Sequence, residues 1–220
     1  MNLPVVPFGK PRGERADAAR NREHLLETAR DMIAELGVGK VTMDGLAERA
    51  GLGKGTVFRR FGTRAGIFVA LLDDDEHRFQ EQVLSGPPPL GPGADPVQRL
   101  IAYGRARTAF LVDHFDIARA SLDPHQPTPA GGGTMTRLHI RMLLKQARLD
   151  VPDLDSLALQ LTAALDGPLL LYMFPTDPGP VSAAGTFIPL ADSWQTLIES
   201  IVRANRPIDP DQAAERTARP

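Results

Sequence analysis

Residues 42–61 read TMDGLAERAGLGKGTVFRRF and hold two short helical patterns joined by a glycine turn. Ala47 is small enough for two helices to approach, Gly51 can take a positive φ at the corner, and Val57 can anchor the second helix. Further apolar residues at helical spacing complete the face that such a unit buries. They are Leu46, Ala50, Leu52 and Phe61. The stretch therefore predicts a helix-turn-helix.

The outward face of the second predicted helix is rich in hydrogen-bond donors. Lys54, Thr56 and the pair Arg59-Arg60 suit phosphate oxygens and base edges. A solvated surface is the alternative for the arginine pair alone, but here the pair follows a complete turn signature. The pattern favours contact with DNA.

Two glycines lie where the second helix starts. Gly53 precedes it and Gly55 lies in its first turn, so that backbone amides at the positive end of the helix dipole can approach a phosphate. A nucleotide-binding loop is disfavoured, because the Walker pattern needs Gly-Lys-Ser/Thr after a strand and here Lys54 precedes Gly55. Gly45, inside the first helix, costs about 1 kcal/mol of helix stability without a reason visible in the sequence.

Residues 22–72, with the run LLETARDMIAELGVGKVTMDGLAERAGLGKGTVFRRFGTRAGIFVALL, resemble the DNA-binding domain of the tetracycline-repressor (TetR) family of bacterial regulators. The resemblance implies that Thr42 caps a helix and touches phosphate, and that Lys54, Thr56 and Arg59 face the groove. It also implies phosphate contacts for Phe58, Arg60 and Arg64. With the two glycines, the predicted DNA-binding residues are Thr42, Gly53, Lys54, Gly55, Thr56, Phe58, Arg59, Arg60 and Arg64.

The chain departs from the usual family pattern at several of these positions. Gly53 stands where serine is common, Phe58 where tyrosine is common and Arg60 where histidine is common, and Thr63-Arg64 replaces Ser-Lys. Phe58 loses a phenol donor, whereas Arg60 and Arg64 add permanent positive charge. We expect DNA binding to persist with contacts shifted from hydroxyls to guanidinium groups.

The net charge of −2 conceals an unequal distribution along the 220 residues. Residues 1–70 hold twelve Lys/Arg against eight Asp/Glu, whereas residues 71–220 hold thirteen against nineteen. A basic N-terminal region on an acidic remainder is typical of a DNA-binding module attached to another domain, although ordinary scatter is the alternative.

The composition also argues against several other classes of protein. There is no cysteine, which excludes disulfides and thiolate metal sites. Neither a signal peptide nor an apolar run of about 18 residues is present, so we expect a cytoplasmic protein without membrane contact. The motifs HExxH and GxSxG and a phosphate-binding loop are missing, so we expect neither an enzyme nor a cofactor.

Periodicity predicts an all-α chain of about nine helices, a three-helix head with the helix-turn-helix followed by a helical body. The resemblance implies that this body is a ligand-binding and dimerisation domain. Besides the helix-turn-helix, the predicted helices are 20–36, 63–84, 96–113, 115–121, 134–149, 154–174 and 191–204. The Pro- and Gly-rich stretches DPHQPTPAGGG and PTDPGPVSAAGTFIP are predicted loops. The predicted domains are a disordered basic tail (1–19), the DNA-binding domain (20–66), the helical domain (67–206) and a disordered tail (207–220).

The resemblance implies that the last two long helices pair with those of a second copy. The candidate dimer residues are Leu165, Leu169, Tyr172, Trp194, Leu197, Ile198 and Ile201. It also implies a small-molecule pocket in the helical domain, with candidate lining residues Tyr103, Arg107, Phe110, His114, His139, Met142 and Gln146. For both sets, packing inside a single chain is the alternative.

These observations favour a homodimeric regulator that binds a palindromic double-stranded DNA operator. Most simply it is a repressor that a small-molecule effector, not identified by the sequence, releases from DNA. The alternative is a helical protein that binds a small molecule or partner and whose degenerate head does not read DNA. Basic residues of the tail, Lys10, Arg12, Arg15 and Arg20, either add DNA contacts or stay solvated.

Overall fold

The computed structural model describes residues 12–122, 132–173 and 183–205. Over these ranges the chain forms nine α-helices and one short 3-10 turn, with no strand. The elements are α1 (Arg12–Leu36), the 3-10 turn (Val38–Lys40), α2 (Met43–Arg49), α3 (Lys54–Phe61), α4 (Arg64–Ser85), α5 (Pro96–Asp113), α6 (Phe115–Ser121), α7 (Gly132–Gln146), α8 (Leu154–Met173) and α9 (Ala183–Ala204). The predicted all-α class is confirmed. None of the described helices is long and apolar enough to cross a membrane.

The helices form two compact units, each with its own apolar core. The head comprises the described residues up to Asp74 together with α6 from Asp116 onward. The body comprises Asp75–Phe115 and the described residues from α7 onward. The predicted domain boundary between residues 66 and 67 stays a prediction.

In the head, the apolar faces of α1 to α4 converge on one core. Leu25, Leu46, Val57 and Phe68 are fully buried, and burying such a side chain stabilises the fold by about 1.5–3 kcal/mol. Gly51 has a φ of 65°, the left-handed conformation expected at the corner between α2 and α3. Burial of Val57 and the turn at Gly51 therefore place α3 as the spacing predicted.

Gly45 has a packing role within α2. A Cβ added there would lie 3.0 Å from Thr42 Oγ1 and 3.3 Å from Met32 Cε. Thr42 Oγ1 accepts a hydrogen bond from the Gly45 amide at 3.0 Å and so caps α2. The glycine leaves room for both the cap and Met32, which offsets its helix cost.

In the body, α5 packs against α9 at a close contact between Gly104 and Trp194. The indole lies where a side chain on Gly104 would be, and its Nε1 donates to the Leu100 carbonyl at 3.0 Å. α7 packs against α8 through fully buried aliphatic side chains that include Ile140 and Leu143. The tryptophan is thus a core residue whose polar atom has a partner inside the chain.

Side chains cap the starts of two further helices. The Gly66 amide donates to Thr63 Oγ1 at 3.1 Å at the start of α4. Asp95 accepts from the amides of Val97 and Gln98 at the start of α5, with Pro96 in its first turn.

Three helices start earlier than predicted: α7 begins at Gly132 rather than at residue 134, and α1 and α9 differ more. α1 begins at Arg12, and residues 12–20 are rich in Ala and Arg, which favour helix. The predicted disorder of residues 1–19 stays a prediction. α9 begins at Ala183 and contains Pro189, so residues 183–189 are helical and not loop. A proline removes one intrahelical hydrogen bond, and here the helix continues on both sides of it. Residues 1–11 of the first tail and all of 207–220 lie outside the described residues.

The packing of Trp194 predicts the cost of filling the space at Gly104. In Gly104→Ala the new Cβ would lie 2.0 Å from Trp194 Nε1, so the indole must move and its bond to Leu100 is strained or lost. We expect the free energy of unfolding to fall by about 2 kcal/mol. Urea unfolding followed by the fluorescence of Trp194, the single tryptophan, measures it.

Gly55→Ala is the matched control, since a Cβ there meets nothing within 4 Å. The control should leave stability unchanged or raise it by up to about 1 kcal/mol. Equal stabilities of the two variants would contradict the assigned role of Gly104.

Candidate nucleic-acid interface and body cleft

The N-terminus of α3 is free of covering side chains. Gly53 is its N-cap with extended backbone angles and no side-chain cap, and a Cβ at Gly53 or Gly55 would meet nothing within 4 Å. The amides of the first turn therefore lie at an open surface where the helix dipole favours an anion. This geometry fits the predicted approach of a phosphate.

The exposed face of α3 carries three cations and one aromatic ring. Lys54, Arg59 and Arg60 are exposed, Thr56 is half-buried, and Phe58 is 65% exposed. A large aromatic side chain at that exposure has no packing role in the head. Its ring is available for apolar contact with a sugar or a thymine methyl group.

In the free protein the cations of this face make weak contacts with their own chain. Lys54 pairs with Asp44 at 2.9 Å, with both side chains mostly exposed. Arg59 Nε donates to the Gly55 carbonyl at 3.1 Å, and Arg60 donates to the Ala18 carbonyl at 2.5 Å. Exposed contacts of this kind contribute up to about 1 kcal/mol, so replacing them with contacts to phosphate oxygens costs little free energy.

Thr42 and Arg64 both hold the fold of the head. The Thr42 hydroxyl accepts from Gly45 and keeps its own hydrogen to donate. The Arg64 guanidinium donates to the carbonyls of Val41 and Val38, each at 2.6 Å, and lies 4.8 Å from the centre of the Phe68 ring. We therefore assign Arg64 first to holding the 3-10 turn, and its predicted phosphate contact stays a prediction.

Most of the described candidate dimer residues lie inside the body. Leu165, Trp194 and Ile198 are buried in its core, so we assign them to intrachain packing and not to a surface. Ile201 is half-buried, whereas Leu197 is 40% exposed. The side chains of Leu169 and Tyr172 lie outside the described residues.

A small cleft, about 290 Å³ with the open solvent at its mouth included, lies in the body among α4, α5 and α7. Its walls hold two of the predicted ligand residues, Tyr103 and His139. The full lining is Glu76, Phe79, Gln80, Val83, Leu84, Tyr103, Met135 and His139. Met142 and Gln146 are exposed on α7 and do not line the cleft, because they lie on its solvent face.

Sequence reasoning missed the contribution of α4 to this cleft. Its five lining residues recur at helical spacing between Glu76 and Leu84, which marks one face of a helix. That spacing was a usable signal. It does not say which of the other helices the face covers.

The buried Arg107 lies beside this cleft and is held by acids and rings. Its NH1 donates to Glu76 Oε2 at 2.5 Å, and its Nε lies 3.6 Å from Asp166 Oδ1. Although burial opposes its charge, Glu76 raises the pKa of Arg107. Burial raises the pKa of Asp166, and the positive charge of Arg107 works against that shift. The rings of Phe79 and Phe110 lie 5.9 and 5.3 Å from the guanidinium carbon.

His139 is the unusual polar group of the cleft. It is 8% exposed, its ring centre lies 4.7 Å from that of Tyr103, and its buried Nε2 has no hydrogen-bond partner among the described residues. Burial, together with the charge of Arg99, lowers the pKa of His139 to about 4. The imidazole is therefore uncharged at neutral pH.

Two other candidate ligand residues are occupied by contacts of their own. Burial raises the pKa of Tyr103 to about 12, and its hydroxyl donates to Thr136 Oγ1 at 3.0 Å. The His114 ring stacks on Phe110, and its Nε2 lies 3.1 Å from Asp75 Oδ2. Among the described residues, no group of three His, Asp or Glu side chains is placed to hold a metal ion.

Both the head and the body of the chain are similar to known proteins. Residues 25–71 match the family model of bacterial regulatory proteins, tetR family. The HTH-type transcriptional repressor AcnR of Corynebacterium glutamicum is 36% identical over 63 residues, which are 29% of this chain and 34% of that repressor. In this match the chain thus spans about a third of the length of its relative.

Longer matches reach the body. The HTH-type transcriptional repressor Rv1474c of Mycobacterium tuberculosis is 29% identical over 174 residues, or 76% of this chain and 89% of that protein. The crystal structure of a TetR-family transcriptional regulator from Pectobacterium atrosepticum has a TM-score of 0.66 at 20% identity, covering 87% of this chain and 99% of that one. The fold is therefore shared along most of the chain.

The contacts of Arg64 predict a stability effect that a pure DNA contact would lack. Arg64→Ala leaves the carbonyls of Val41 and Val38 without their donor, so the head should lose about 2 kcal/mol of unfolding free energy. Far-ultraviolet circular dichroism in urea measures it. Arg59→Ala, which removes an exposed side chain, should change stability by no more than about 0.5 kcal/mol. An unchanged stability in Arg64→Ala would remove its structural role.

Proposed function

Because the chain belongs to the tetR family of bacterial regulatory proteins, we propose that it is a sequence-specific DNA-binding transcriptional regulator. We further propose that it represses transcription from the cytoplasm and that a small molecule bound in the body releases it from its operator. Residues 25–71 support the first statement through the family match. Relatives that are named as transcriptional repressors support the repression.

One observation carries the DNA-binding proposal: α3 is held by a buried face and presents an uncovered N-terminus with exposed cations beside it. Val57 and Phe61 fix the helix in the core, while Lys54, Arg59 and Arg60 stay exposed. A helix about 10–12 Å wide fits a major groove of about 12 Å. The proposed roles are base contact for Arg59 and phosphate contact for Arg60 and the first-turn amides.

We propose that two copies act together, because a two-fold operator needs two recognition helices about 34 Å apart. The outer faces of α8 and α9 are the candidates for the contact. Leu159 on α8 is 53% exposed, and Leu197 on α9 is 40% exposed. Ala163, also on α8, is a small exposed residue. Exposed leucines beside small residues suit helix-to-helix packing.

Release by a ligand requires a preference of that ligand for one state of the protein. The body cleft, which is open to solvent on one side, is where a small molecule would contact apolar side chains and a few polar groups. The alternative, a ligand-binding body with a head that does not read DNA, draws on the missing hydroxyls at Gly53 and Phe58. The experiment below separates the two.

Selection from random double-stranded DNA should recover a palindromic site to which the protein binds saturably. The affinity should fall steeply with salt, with a log-log slope of about −0.9 per phosphate contacted. Arg59→Ala should cost about 1–3 kcal/mol and relax preference at one base position in each half-site. Arg60→Ala should weaken all sequences alike and reduce the salt slope by about one.

Gln146→Ala, an exposed change in the body, is the control and should leave both readouts unchanged. Absence of saturable binding to every recovered fragment would favour the degenerate-head alternative.

Leu197→Arg should weaken the dimer, because it places a charge in the proposed contact between helices. A cost of about 2 kcal/mol would raise the dimer dissociation constant about thirtyfold. Sedimentation velocity over a concentration series measures it. Met142→Arg, at a similarly exposed position on α7, is the matched control and should leave the constant unchanged. Equal effects of the two changes would place the interface elsewhere.

A further inference from the structure

We propose that the body cleft binds an uncharged aromatic alcohol, a single hydroxylated ring, whose hydroxyl pairs with Nε2 of His139. The inference rests on the proposed function only in treating this cleft as the effector site. It adds the chemical class of the molecule and names the residue that selects it.

A buried nitrogen of the cleft residue His139 has no hydrogen-bond partner among the described residues. His139 lines the cleft, is more than nine-tenths buried, and its Nε2 has no partner within the described residues. A buried polar atom without a partner is costly, so a ligand that supplies one gains affinity. A hydroxyl both donates and accepts, and therefore serves either tautomer of the imidazole.

The described walls of the cleft offer a charged ligand no counter-charge that is not already paired. Glu76 already accepts from Arg107 at 2.5 Å and from Gln80 Nε2 at 3.2 Å. The nearby buried Arg99 donates to the carbonyls of Val83 and Leu90 at 3.1 and 3.4 Å. Burying an ion without a partner is far more costly than burying a hydroxyl, so the walls select an uncharged molecule.

The low pKa of His139 agrees with this selection. Because burial keeps the imidazole uncharged at neutral pH, it offers a neutral hydrogen-bonding group and not a cation for an acid. The other unpartnered atoms, Arg107 Nε and Asp166 Oδ1, lie 3.6 Å from each other, and Asp166 is not among the lining residues.

The lining of the cleft suits an aromatic ring. Phe79 and Tyr103, with ring centres 5.8 Å apart, form aromatic walls, and Met135 lies at the exposed rim. Rings and a thioether pack well against another ring. The cleft is small and open to solvent on one side, so it has no room for more than one ring.

Isothermal titration of the full chain with matched probes tests the proposal without DNA. The probes are 4-ethylphenol, 4-ethyltoluene, 4-ethylbenzoate and 4-ethylbenzylammonium, which share a ring and differ in one group. The phenol should bind at least about tenfold more tightly than each of the others. Equal binding of 4-ethyltoluene, or tighter binding of either ion, would overturn the proposal.

Variants assign the preference to His139. His139→Phe keeps a ring beside Tyr103 and removes the nitrogen, so the phenol should lose its advantage while 4-ethyltoluene binds as before. Met142→Ala, exposed on the same helix and outside the cleft, should change nothing. If His139→Phe fails to fold, Met135→Trp at the rim should abolish binding of all four probes, and retained binding there would place their site elsewhere.

A final arm separates this inference from the proposed function. 4-Ethylphenol is added to the protein bound to its selected DNA fragment, and release is followed by fluorescence anisotropy. DNA binding without any phenol binding would overturn the ligand class and leave the regulator intact. Phenol binding without any DNA binding would overturn the regulator and leave the chemistry of the cleft.

Discussion

The candidate nucleic-acid interface depends on the burial of one face of α3, a helix of eight residues. A helix as short as α3 is unstable by itself in water, because nucleation costs more than so few hydrogen bonds return. Val57 and Phe61 hold it against the core of the head, and Gly51 turns the chain into it. Because this burial stabilises α3, the helix tolerates Gly53 and Gly55 at its start, and these glycines leave the first turn without covering side chains. A larger side chain there would cover the first-turn amides, for which we propose a contact with phosphate.

In the head, some polar side chains form hydrogen bonds with the backbone and so stabilise the fold. Arg64 donates to two carbonyls near the 3-10 turn, and Thr42 caps α2. The cations of α3 are different, because their contacts with Asp44 and with exposed carbonyls are weak and exchangeable. Burial therefore separates arginines that shape the head from arginines that remain available to a ligand.

The body follows the same logic with more of its polar groups buried. Trp194 and Arg99 satisfy their donors on backbone carbonyls, and Arg107 is paired with Glu76. His139 differs, because among the three buried side-chain atoms without a hydrogen-bond partner in the described residues, its Nε2 is the one that belongs to a residue lining the cleft. In a well-satisfied interior such an atom is the group that a bound molecule would complete.

From the sequence alone followed the helix-turn-helix, the all-α class and the exposure of Lys54, Arg59 and Arg60, since each depends on helical spacing and turn chemistry within a short stretch. Tertiary packing decided the rest. The partners of Arg64 lie 23 and 26 residues away, and those of Trp194 lie 90 or more residues away, so no local pattern reveals them. An amphipathic stripe such as that of α9 is the same whether it covers its own chain or a second copy. The cleft exists because three helices meet, and periodicity can mark each face without saying which faces meet.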